Sequence, residues 1–107
     1  MASANFYSHD LAVVHLIAAG TWSVPADCIV LDAWFVKKGT TAGNASLTDG
    51  TNTIVAATAL GTVADVVTHA PSIATAYRSL TNGKTLTFSM SAGDGECFVL
   101  LALSATD

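Results

Sequence analysis

The apolar positions of this chain come in short runs between turn residues, and several runs alternate. From Thr85 to Ser91, Leu86, Phe88 and Met90 alternate with Thr and Ser. A period of two belongs to a strand with one dry and one wet face. The stretch ASLTDGTNTIV repeats this around Asp49-Gly50. Asp-Gly is a preferred two-residue hairpin turn, because its residues accept positive φ. That register sets Thr48 opposite Thr51 and Ser46 opposite Thr53, leaving Ala45, Leu47 and Ile54 on the dry face. Asn82-Gly83 and Asp94-Gly95 are read as two more hairpin turns. They flank Thr85–Ser91, with a strand at Ile73–Leu80 before it and an apolar strand, Cys97 to Leu103, after it.

The remaining runs are less regular. Asp10 to Ala18 is apolar and β-branched and reads as a buried strand ended by Gly20. Cys28 to Val36, CIVLDAWFV, is apolar on both faces, which suggests a central strand. Strict alternation puts Ile29, Leu31, Ala33 and Phe35 on one face and Cys28, Val30, Asp32, Trp34 and Val36 on the other. Residues 56–70 carry a weak helical stripe, but Gly61 and the valine-threonine content favour strand or irregular loop. The expected fold is all-β: a single-domain antiparallel β-sandwich or jelly roll of seven to eight strands. Residues 1–9 form an N-terminal arm or short edge strand, and residues 10–107 form the sandwich domain.

Composition sharpens this picture. Of 107 residues, only 11% are charged while 51% are hydrophobic. An average soluble domain is about 25% charged. So little charge suggests that part of the surface is covered by association. The net charge is −4, and the cations are Lys37, Lys38, Arg78 and Lys84. No basic stripe exists to displace counterions from phosphates, so nucleic acid is not an expected partner. An anionic membrane surface is disfavoured on the same ground. The start, MASANFYSHD, does not resemble a secretory leader, and a soluble protein made in the cytoplasm is expected. Cys28 and Cys97 read as buried thiols, with a disulfide between two strands as the alternative.

Candidate chemistry is sparse. His9, Asp10 and His69 have no metal-ligand spacing, so no metal or cofactor is expected. His15 reads as a hydrogen-bonded strand histidine, or as a pH sensor if copies meet on a symmetry axis. Asp32 lies in an apolar strand and needs solvent or a partner such as Lys37, Lys38 or Arg78. Glu96 and Asp94 sit at a turn and read as solvated. No catalytic constellation is legible, and the chain is expected not to be an enzyme. Candidate interface residues are Phe6 and Tyr7 in the arm, His15, Trp22 and Trp34. Trp22 is either an exposed stacking platform or a cover over one end of the core, and Trp34 belongs to core or interface.

The stretches HLIAAGTWSVPADCIVLDAWFVKKGTT, ASLTDGTNTIV and LTNGKTLTFSMSAGDGECFVLLALSA together resemble small bacteriophage virion proteins, in particular capsid decoration (cement) proteins. The resemblance lies in the pattern along nearly the whole chain rather than in one motif. It implies a sandwich or jelly-roll unit, a homotrimer, that binds the major capsid protein and stabilises the outside of a phage head. The location it implies is the virion, assembled in the host cytoplasm. The alternative is a tail or fibre β-domain that binds a receptor or carbohydrate.

Overall fold

The two strands richest in apolar residues lie side by side at the centre of the larger sheet. The computed structural model describes residues 2–6, 11–17 and 20–103. Its strands are β1 (Ala2–Phe6), β2 (Leu11–Ile17), β3 (Thr21–Ser23), β4 (Cys28–Lys38) and β5 (Asn44–Thr48), then β6 (Thr53–Ala59), β7 (Val67–His69), β8 (Ser79–Leu80), β9 (Thr85–Met90) and β10 (Asp94–Leu103). A six-stranded sheet runs β1-β2-β10-β4-β7, with β8 also paired to β4. A four-stranded sheet runs β3-β9-β5-β6. Every pairing is antiparallel. The architecture is the expected β-sandwich, with residues 2–6 as an edge strand of the larger sheet. It has more strands than expected because short pieces such as β3, β7 and β8 carry little sequence signal.

The core lies between the sheets. Val14, Leu16, Val30, Phe35, Val99 and Leu101 of the larger sheet meet Leu47, Ile54, Leu86 and Phe88 of the smaller one, all fully buried or nearly so. The rings of Phe35 and Phe88 stack across the gap at 6.0 Å. Each such side chain contributes roughly 1.5–3 kcal/mol by leaving water. Cys28 and Cys97 are buried free thiols. Cys97 pairs with Phe35 while Cys28 pairs with Leu103. Six residues of β10 therefore separate them, on the order of 20 Å, beyond reach of a disulfide. Burial pushes the Cys97 thiol up to about 12. Burial, with Asp27 nearby, pushes Cys28 up to about 11.

Three sequence expectations change. First, β4 does not alternate throughout. The ladder to β10 slips between Leu100 and Leu101, so Leu31 is an extra residue, a β-bulge. Cys28 and Val30 face inward before it, and Ala33, Phe35 and Lys37 face inward after it. Apolar residues on both sides of the run reflect this change of phase. Second, two of the three turn signals join different sheets. Asn82-Gly83, with Gly83 at φ 95°, carries the chain from β8 to β9. The reversal into β10 lies before Asp94, at Gly93 (φ 71°), and Asp94-Gly95 starts the strand. Only Asp49-Gly50 turns a hairpin, and it does so over four residues, with Thr48 opposite Thr53. The Asp49 carboxylate accepts the N–H groups of Thr51 and Asn52 at 3.0 and 2.6 Å, which favours the longer loop. Third, Ile73–Leu80 is mostly turn, and only Ser79–Leu80 pairs with β4. The other half of that edge of β4 is held by β7.

Candidate functional site

The two outer faces of the sandwich differ sharply. On the smaller sheet, Thr21, Thr87, Thr48 and Thr53 line up across four strands, with Ser46 and Ser89 in the next row. That face is hydroxyl-rich, as alternation predicts for a wet face. On the larger sheet the outward positions of β2, β10 and β4 include Leu11, Val13, Ile17, Leu100, Ala102 and Val36, an apolar surround for the polar and aromatic residues between them. No strand of the described residues packs over this face. Leu11, Ile17, Leu31 and Val67 are all exposed.

Across the middle of this face runs a row of rings. The register places His15 beside Phe98, Phe98 beside Trp34, and Trp34 beside His69. His15 and Phe98 stack at 4.4 Å with planes 1° apart. Trp34 and His69 lie 5.5 Å apart and tilted by 49°. Neighbouring strands are about 4.8 Å apart. The parallel His15 and Phe98 rings at that spacing stand on edge, each face turned to the other. Such a stack presents edges to solvent and is not a flat platform.

Each end of the row carries a carboxylate. His15 Nε2 lies 2.6 Å from Glu96 Oε1, and His69 Nε2 lies 2.6 Å from Asp32 Oδ1. Glu96 is thus paired and only a quarter exposed, in contrast to the solvated turn residue expected from sequence. Asp32 takes a histidine instead of one of the lysines or Arg78. Burying either carboxylate under a partner without its imidazole would be costly.

The candidate residues fall in different places. His15 and Trp34 are brought onto one row, with Phe98 between them. Trp22 lies on β3 in the other sheet, half-buried and packed against the core, so it covers the core instead of forming a platform. Phe6 ends β1 opposite Ala12. Tyr7 lies outside the described residues. Sequence reading missed Phe98, His69 and the two carboxylate partners as members of a site. The alternation of Glu96, Phe98 and Leu100 in the final strand was the available signal.

Other clusters are weaker. The Lys37 side chain is fully buried, and its ammonium donates to the carbonyls of Lys38 and Asp94 at 2.7 and 3.2 Å. It ties the end of β4 to the start of β10. A depression of about 270 Å³, lined by Ile17, Lys38, Asp94, Gly95 and Glu96, lies at the same end. Small-molecule sites usually start near 300 Å³. Among the described residues no group of three or more His, Cys, Asp or Glu side chains is placed to hold a metal. No helix of the described residues is long and apolar enough to cross a membrane. No protein-family model matches the chain, and no curated protein is similar to it in sequence.

Proposed function

We propose that this chain is a structural, non-enzymatic virion protein: an oligomeric capsid decoration protein that binds the outer surface of a phage head and stabilises it. The observation that carries the association part is the placement of exposed apolar side chains. Leu11, Ile17 and Leu31 lie on the larger sheet, Val67 on its edge strand, and Val63, Val66 and Tyr77 in the segments feeding its edge. Val63 and Val67 are more than 60% exposed. Isolated apolar residues are normal on a surface, but a set that shares one sheet and the segments feeding its edge marks a contact surface. The strand order supports the virion part. We read β2-β10-β4-β7 facing β3-β9-β5-β6 as jelly-roll wiring, an architecture used by viral capsid and lectin domains. A ligand that binds only the assembled lattice stabilises it by mass action, and several copies acting together add avidity.

The alternative reading, a tail or fibre domain that binds carbohydrate, fits less well. Sugar stacking needs an open ring face, and the His15 and Phe98 rings turn theirs to one another. The test is to follow tagged protein through infection by the virus that encodes it. The protein is expected to co-sediment with filled heads, and heads lacking it are expected to lose DNA more readily on heating. Recovery with tails or fibres would favour the receptor reading. Absence from particles would reject the virion role.

A further inference from the structure

We infer that the outer face of the six-stranded sheet docks against the same face of a second copy of this chain, and that the docking takes up protons. This deepens the association part of the reading above and is independent of the capsid part. The pattern of the face is the argument. The central row is His15, Phe98, Trp34, His69. Glu96 lies one row to one side, beside Ile17 and Val36, and Asp32 lies one row to the other side, beside Leu100. A half-turn about the midpoint between Phe98 and Trp34 exchanges the histidines, the large rings and the carboxylates. Such a pattern is compatible with its own copy. When two faces stack about a two-fold axis along the row or along the strands, each carboxylate meets Val36 or Leu100 of the other copy. Carboxylate never meets carboxylate, large rings meet large rings, and histidine meets histidine. This is the isologous contact expected of a dimer. A trimer would need the face to meet a different surface of the next copy.

Area fits a weak, concentration-dependent pair. Three strands about 4.8 Å apart over about seven residues, with the three-residue β7 beside them, give a plan area on the order of 400 Å² per copy. Side-chain relief raises the total for two copies to about 1,000 Å², below the roughly 1,200 Å² at which standard stable interfaces begin and in the range of transient ones.

The proton linkage follows from charge. With a neutral imidazole, each histidine–carboxylate pair carries one negative charge into an apolar contact, and burying that charge is unfavourable. With the imidazole protonated the pair is neutral overall, and the carboxylate 2.6 Å from each imidazole offsets the repulsion between the imidazoliums that meet across the axis. Histidine is the side chain that changes charge between about pH 5 and pH 8. The other charged groups near the face stay at its rim. Lys38 is tied to Asp65 at 2.9 Å and lies across from Asp94 on the Glu96 side. Arg78 is exposed on the segment before β8. On β1 the residue opposite His15 is Ser3, and Lys37 points inward. The net effect is association that strengthens as pH falls through the histidine range.

Sedimentation velocity over a wide concentration range, at about pH 5.5 and about pH 8, tests this. A dimer at least tenfold tighter at the lower pH is expected. Val36→Asp, which sets a new carboxylate against Glu96 or Asp32 of the second copy according to the axis, is expected to give a monomer. Leu11→Asp, at an exposed position of the same face, checks the result should the first variant misfold. His15→Gln with His69→Gln is expected to hold association at its weaker, high-pH level at both pH values and so remove the pH dependence. A monomer throughout, a trimer, a dimer indifferent to both Asp variants, or a wild-type dimer indifferent to pH would each overturn the inference. Head binding is measured separately, so its failure leaves this result standing.

Discussion

Asp49 shows how one buried carboxylate can set a turn. Its side chain is almost wholly enclosed, and burial alone would hinder ionisation. The N–H groups of Asn52 and Thr51 and the ammonium of Lys84, 3.2 Å away, more than offset that. The net effect pulls the carboxyl down from 3.8 to about 2. A folded-state value below the unfolded one means stability that is present above pH 4 and is lost as pH falls through about 2. Lys84 is substantially exposed, so the two backbone donors carry most of the effect. Asp49→Asn keeps one acceptor and removes the charge. It is expected to cost about 1–2 kcal/mol at neutral pH. The gap between variant and wild type should close on acidification, when the wild-type carboxyl is also neutral. Urea unfolding at a series of pH values measures it. A gap that stays constant down to about pH 2 would show that charge has no part in the turn.

At the scale of the element, β4 is the informative strand. Leu31 is the residue the ladder skips, and the facing positions on either side are already in phase without it. Deleting Leu31 leaves Val30 inward, Asp32 outward and Ala33 inward. Deleting Phe35 instead removes the ring stacked on Phe88 and turns Val36 in and Lys37 out. The first deletion is therefore expected to fold with a loss under about 2 kcal/mol, and the second to abolish cooperative unfolding. Near-ultraviolet circular dichroism and urea titration distinguish them. If deleting Leu31 also unfolds the chain, the bulge is an obligatory bend in β4. The same strand explains what was legible in the sequence. Alternation in Thr85–Met90 and Asn44–Thr48 gave strands and inward faces correctly, because local pleating alone decides them. The bulge was hidden, since nothing in CIVLDAWFV marks a change of phase until the partner strand is known. Turn residues showed where the chain bends and were silent on which sheet it enters. The ring row was hidden for a related reason. His15 and Glu96 are 81 residues apart, and only the β2-β10 register brings them together.

The whole molecule has two routes to association, and the N-terminal strand separates them. β1 closes one edge of the larger sheet through a five-residue ladder, from Ala2 opposite Leu16 to Phe6 opposite Ala12. Among the residues whose burial is described, the core side chains that join the two sheets run from Ala12 onward. Removing residues 2–9 takes away the edge ladder and leaves those side chains in place, and the truncated chain is expected to unfold cooperatively with a loss of about 2 kcal/mol or less. It also strips the outer edge of β2, a seven-residue strand whose unpaired N–H and C=O groups then offer a template for another chain. Edge pairing needs only backbone, so it should be insensitive to Val36→Asp and to pH in the histidine range. Face docking should respond to both. The truncated protein carrying Val36→Asp is accordingly expected to self-associate where the full-length variant stays monomeric, and light scattering on the two side by side reads the difference. If the truncated variant also stays monomeric, the bare edge is protected by its twist or its short length, and β1 serves stability alone. If the full-length variant associates as strongly as the truncated one, the surface outside the ring row is sufficient to hold copies together.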